Sequence, residues 1–181
     1  STTTMMGMTP SQQNSPSSPP ALALLERLRI PYRVIEHEAV MTVQESMDKG
    51  VMAELGSEDH HVLKNLLLQT KRGKLYLLVA RGEQRVDLKD LASQLGSARL
   101  SFARPEVVEE AFGSRPGAIS LFDLIDAPAP VTLVLDGGIL ELTGTTGFHI
   151  GTNTSTVVLA VSDLPQVAEA VQPGAIVTGS R

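Results

Sequence analysis

The feature that most constrains this chain is a pair of apolar runs separated by four residues. Residues 62–70 (VLKNLLLQT) and 75–80 (LYLLVA) flank Lys71, Arg72, Gly73 and Lys74. Gly73 supplies the positive φ of a tight connection, so the pattern predicts a β-hairpin. The second run is the longest unbroken apolar stretch, far short of the roughly 20 residues that a membrane-spanning helix needs. A soluble protein is expected.

The surrounding patterns are of both kinds. Residues 21–30 (ALALLERLRI) carry an apolar stripe at helical spacing, which Pro31 ends because it cannot continue the hydrogen-bond ladder. Residues 32–37 (YRVIEH) alternate like a strand. Thr42 and Glu45 form a capping box that opens a helix over 42–55, stopped by Gly56. Asp87 caps a helix through Leu95 that Gly96 ends, and Pro105 takes a first-turn position in a helix through Phe112 that Gly113 ends. A short strand falls between them over 99–103. Further strands are expected over 131–135, 139–142 and 156–161, the first two joined by a turn at Asp136, Gly137 and Gly138, and Asp163 starts a last helix through Val171.

Helices and strands interleave without a regular βαβ rhythm and with two apparent hairpins. This predicts an α+β (mixed α/β) fold: a mixed, largely antiparallel central sheet or partly closed barrel flanked by helices. Residues 1–20 are uncharged and hold four Pro in a Ser/Thr/Gln/Asn background. Such a segment buries too little apolar surface to offset its ordering entropy, so a disordered tail is expected there, with one domain over 21–181. It lacks the basic and apolar regions of an export signal, so export is not expected.

Composition removes several functional classes. With no Cys there is no disulfide framework, thiolate zinc site or thiol nucleophile. Twenty acidic against 15 basic side chains argue against a duplex-DNA binder, which neutralises many phosphates. Two Tyr, four Phe and no Trp argue against a stacking platform for single strands. Contact with one nucleic-acid end remains open. Dinucleotide, P-loop, nucleophile-elbow and H-E-x-x-H motifs are all missing. His60 and His61 are adjacent, so on a strand they point to opposite faces and cannot share a metal; they read as a chance surface pair. His37, between Glu36 and Glu38, reads as a solvated strand edge.

Three local features are candidates for chemistry. Lys64 shares its strand face with Val62, Leu66 and Leu68, and a charge there costs free energy unless it reaches solvent or an anion. It is either a lysine snorkelling along a partly exposed strand or an ammonium that meets a phosphate or carboxylate. Residues 113–117 (GSRPG) form a loop able to aim backbone N–H groups at an oxyanion, although most Pro-Gly loops are plain turns. Residues 148–154 (FHIGTNT) form a polar loop around His149.

Taken together and in order, these segments resemble a known family. HEAVMTVQES at 37–46, LKNLLL at 63–68, LYLLVA at 75–80, VDLKDLASQLG at 86–96, LSFARPEVVEEAFGSRPGAIS at 100–120 and FHIGTNTST at 148–156 resemble the free-standing prolyl-tRNA editing proteins. These belong to the YbaK/ProX superfamily, as does the editing domain inserted in bacterial prolyl-tRNA synthetases. The resemblance implies a cytoplasmic, trans-acting deacylase that hydrolyses the ester of mischarged tRNA, with Ala-tRNA(Pro) foremost. Deacylation of Cys-, Ser- or Thr-charged tRNA, or binding of a tRNA end without hydrolysis, are the alternatives.

By the same resemblance, Lys64 is functional and would bind the phosphate or ribose of the terminal adenosine. Asn65 matches the next motif position, the loop of Gly113, Pro116 and Gly117 would present glycine backbone donors to the ester carbonyl with Pro116 as its rigid element, and His149 would line the aminoacyl pocket, followed by Asn153 and Thr154. Ile150 stands where proline is common in the family. No cofactor and no metal are implied. The 3′ acceptor end of aminoacyl-tRNA is the expected partner, with prolyl-tRNA synthetase as a docking partner by analogy; DNA and membrane are not expected.

Overall fold

A computed structural model describes residues 2–4, 18–36, 60–112, 119–125, 127, 130–150 and 152–179, with 2–4, 18–19 and 152–154 described by backbone alone. The elements are β1 (Thr2–Thr4), α1 (Ser18–Arg27), β2 (Arg33–Glu36), β3 (His60–His61), β4 (Leu63–Thr70), β5 (Leu75–Arg81), α2 (Leu88–Leu95), β6 (Leu100–Phe102), α3 (Pro105–Phe112), β7 (Val131–Leu135), β8 (Thr145–Ile150), β9 (Thr152–Ala160), α4 (Leu164–Val171) and β10 (Ile176–Val177). Short 3-10 turns lie at Leu121–Ile125, Gly137–Glu141 and Val161–Asp163.

The strands form two five-stranded mixed sheets, in the orders β1-β2-β9-β8-β3 and β10-β7-β5-β4-β6. Neither is closed into a barrel. The expected hairpin nucleates the second sheet: β4 and β5 pair antiparallel from Leu63↔Arg81 to Gln69↔Leu75, and Gly73 takes φ +90° in their turn. The helix from Asp87 to Gly96 is also as expected. Asp87 accepts a hydrogen bond from the Asp90 N–H, and Gly96 closes the last turn in the left-handed region.

Two cores follow from the two faces of the second sheet. Leu63, Leu67, Leu77, Val79, Leu133 and Leu135 face the first sheet, where they meet Val34, Phe148, Ile150, Val157 and Leu159. Helices α1 and α4 add Leu22, Leu25, Leu164 and Val167 to this core. On the other face Leu68, Tyr76, Leu78, Ala80 and Val134 pack against Leu91 and Ala92 of α2. A strand covered on both sides needs apolar residues at every position, which is why β5 reads as an unbroken apolar run.

The structure corrects several expectations. Residues 139–142 are not a strand: the Asp136 side chain accepts from the Gly138 N–H and starts the 3-10 turn Gly137–Glu141. Val131–Leu135 therefore has no hairpin partner there, and β7 pairs parallel with β5 instead. The polar loop expected around His149 is a pair of antiparallel strands, β8 and β9, with a bulge between His149 and Ile150. Two stretches within residues 1–20 are structured, since β1 pairs with β2 and α1 begins at Ser18. The helix expected over 42–55 lies outside the described residues.

Candidate active site

The chain passes from the first sheet to the second at Val62, between β3 and β4. Gly82 holds this crossing by donating its N–H to the Val62 carbonyl at 2.7 Å. A Cβ on residue 82 would lie only 2.7 Å from that same oxygen, so the approach needs glycine. Lys64 and Asn65 follow directly. Because β4 runs antiparallel to β5, and β5, β7 and β10 run parallel to one another, the amino end of β4 shares an edge with three strand carboxyl ends.

Lys64 stands on the α2 side of the second sheet, paired across from Ala80, and is half-buried. Its ammonium donates to the backbone carbonyl of Gln84 in the β5–α2 connection. The charge on an apolar strand face is thus explained by a fixed anchor at the sheet edge. Asn65 pairs across from Val79 and faces the core between the sheets. Its Oδ1 is buried and has no hydrogen-bond partner among the described residues. An unmet buried acceptor costs about 1–3 kcal/mol.

His149 lies in β8 opposite Thr156, half-buried, with its Nδ1 shielded from solvent. Its neighbours Phe148 and Ile150 both enter the intersheet core, so His149 leaves the sheet on the other side. The expected residues therefore do not share one face. β3 pairs parallel with β8 at His60↔Thr145 and His61↔Thr146, directly before the chain crosses to β4 in the second sheet. Asn153 and Thr154 lie in β9 just past the bulge. Gly113, Pro116 and Gly117 lie outside the described residues, directly after α3.

The two histidines at 60 and 61 are not a surface accident. His60 is 7% exposed, and its Nδ1 lies 2.9 Å from Thr145 Oγ1. Burial, then the neighbouring His61 and Arg33 charges, lower its pKa to about 4, so the imidazole is neutral at pH 7. His61 donates from Nε2 to the Thr143 carbonyl at 2.8 Å, and its own carbonyl accepts from Thr146 Oγ1 at 2.7 Å. The available signal was that HHVL continues the strand pattern upstream of Lys64. Gln84, which anchors Lys64 through its backbone, carried no local signal. His37 lies outside the described residues. Among the described residues no group of three or more His, Asp or Glu side chains could hold a metal ion, and no helix is long and apolar enough to cross a membrane.

The described residues offer an ammonium fixed at the amino end of β4 and, on the opposite face of the same strand, a buried amide oxygen. A model of the aminoacyl-tRNA editing domain matches residues 37–167, which include Lys64, Asn65 and His149. The chain belongs to the aminoacyl-tRNA editing domain family. It is similar to the prolyl-tRNA editing protein ProX of Acetoanaerobium sticklandii, 34% identical over 151 residues that cover 82% of this chain and 88% of that protein. It is also similar to the multifunctional Ser/Thr-tRNA deacylase ProXp-y of Escherichia coli K12, 28% identical over 82% of this chain and 86% of that one. A crystal structure of a candidate trans-editing enzyme for prolyl tRNA synthetase shares the fold, with TM-score 0.65 and 24% identity over 91% of this chain and 96% of that chain. Within this editing domain the two sheets and the β3–β4 crossing are the frame that holds Lys64.

Proposed function

We propose that this protein is a trans-acting aminoacyl-tRNA deacylase, with Ala-tRNA(Pro) as its substrate and one editing domain over 21–181. The observation that carries the reading is Lys64, an ammonium anchored at the amino end of β4 in a chain of the editing family. The physical need is plain: a synthetase pocket for a larger apolar amino acid excludes a smaller one by only about 1–3 kcal/mol per methylene, so a second site must remove the product.

In this reading Lys64 binds the phosphate or ribose of the terminal adenosine as a point charge. Asn65 accepts a hydrogen bond from the substrate at its open Oδ1. Backbone donors at Gly113 and Gly117, held by Pro116, bind the ester carbonyl as it becomes an oxyanion; one such donor contributes about 2.7–4 kcal/mol in other hydrolases. His149 lines the aminoacyl pocket, with Asn153 and Thr154 beside it. A ribose hydroxyl of the tRNA end orients the attacking water, since no carboxylate is placed for that role among the residues assigned. Removing the terminal 2′-hydroxyl should then abolish turnover while binding persists, and undiminished turnover would exclude this step.

The similarity to a Ser/Thr-tRNA deacylase supports a second reading, the same chemistry on Ser- or Thr-charged tRNA. One panel separates the readings: Ala-, Pro-, Cys-, Ser- and Thr-tRNA incubated with wild type. Fastest release from Ala-tRNA(Pro) supports the first, fastest release from Ser- or Thr-tRNA the second, and no release from any leaves a binding module.

A further inference from the structure

Beside Lys64 lies a cavity of about 340 Å³ that the site residues do not occupy. Its walls are the β5–α2 connection, α2, the turn after β7 and the chain after β10. It therefore sits just outside the carboxyl ends of three parallel strands, a place where open α/β sheets commonly bind ligands. Its volume is within the usual range for small-ligand sites.

Three carboxylates line it, but each already serves the fold. Asp87 accepts from the Asp90 N–H, Asp136 from the Gly138 N–H, and Asp90 from Gln94 Nε2, whose own amide oxygen holds the Gly179 N–H. Two guanidinium groups also line it, of which Arg81 is paired loosely with the exposed Glu83, Nε to Oε1 3.9 Å. Arg81 donates from Nε to Gln84 Oε1 at 3.3 Å and lies close against Gly138, where a Cβ would come within 3.3 Å of its Nε and Cζ. Its head is thus placed by a residue without a side chain. Arg85 is exposed and makes no hydrogen bond or ion pair among the described residues. Gln84 joins the two sites, since its carbonyl anchors Lys64 and its side chain meets Arg81.

We infer that this cavity binds a backbone phosphate of the single-stranded 3′ end of RNA, through Arg81 and Arg85, upstream of the nucleotide that Lys64 meets. Planar guanidinium groups suit phosphate oxygens in a way a lone ammonium does not. The neighbouring carboxylates keep the attraction modest, which suits release of the RNA after each turnover. The inference rests on the function proposed above and adds where the strand runs.

The test uses the full chain and an uncharged RNA hairpin ending in a single-stranded 3′ ACCA, with affinity read by fluorescence anisotropy. Arg85→Ala should weaken binding roughly tenfold, the scale of one hydrogen-bonded charge contact. It should also lower the slope of log affinity against log salt by about 0.7, the value for one phosphate of a single strand. Replacing each of the last three phosphodiesters in turn by a neutral methylphosphonate should weaken wild type at one position, where Arg85→Ala shows no further loss. Equal affinity of Arg85→Ala and wild type, or additive losses at all three positions, would overturn the inference. Because this binding assay needs no hydrolysis, RNA binding with the expected coupling but no deacylation of any charged tRNA would remove the proposed function and leave the phosphate site standing.

Discussion

The second sheet is covered on both faces, by the intersheet core and by α2, and its central strand β5 is apolar at nearly every position. In the first sheet, β8 sends Thr146, Phe148 and Ile150 inward while Thr145, Gly147 and His149 leave on the other side, next to His60. The one is held by dispersion and area, the other partly by buried polar groups with specific partners. This difference has a measurable consequence: damage to the second sheet should be independent of pH, whereas the first sheet carries a pH-dependent part of the stability.

The largest effect expected is Leu77→Ala, which removes a side chain with no exposed surface from the centre of β5. Burial of this kind predicts a loss of about 2–5 kcal/mol in urea unfolding, the same at pH 5 and pH 8. His60 comes next. Its folded pKa of about 4 lies below the unfolded value of 6.5, so between those limits the unfolded chain binds more protons and stability rises with pH. The contribution is complete above pH 6.5 and lost as pH falls toward 4, with a span of roughly 3 kcal/mol. A titration of unfolding free energy should show this slope, and His60→Gln should flatten it. A slope unchanged in that variant would erase the contrast between the sheets.

Gln172 sharpens the contrast from the other side. Its side chain accepts from the Leu133 N–H at 2.6 Å and donates to the Val131 carbonyl at 2.5 Å, standing in for a neighbouring strand along β7. Gln172→Ala leaves two strand groups unmet and should cost about 1–3 kcal/mol without pH dependence. The smallest effect is at Asp87, the cap of α2, where Asp87→Ala should cost about 1 kcal/mol in the same measurement.

The contrast also decides what could be read from sequence. The β4–β5 hairpin, α2 with both its caps and α3 were legible because each is set by local pattern: apolar runs, a capping Asp, a stopping Gly. Strand β8 was not, because Thr145, Thr146, Gly147 and His149 look like a loop until Ala160, Leu159, Val158 and Thr156 pair with them. The 3-10 turn at Gly137–Glu141 hides in a segment whose apolar residues fit a strand equally well. Lys64 stood out as a charge on an apolar face, and alternation alone gave the opposite direction of Asn65. The anchor at Gln84 comes from a contact 20 residues away, and the burial of His60 from partners 85 residues away. The hairpin tip at Lys71, Arg72 and Lys74 is exposed but lies at the far end of β4, ~20 Å from Lys64 at strand spacing, so it is not part of the same site.

If the ammonium at the amino end of β4 carries substrate, its removal must slow hydrolysis. Deacylation of Ala-tRNA(Pro) by wild type and Lys64→Ala, at equal concentration and with matching unfolding transitions, tests it directly. The rate should fall tenfold or more, the scale of a lost hydrogen-bonded charge contact; hydrolysis by Lys64→Ala as fast as by wild type would show that the ammonium does not carry substrate.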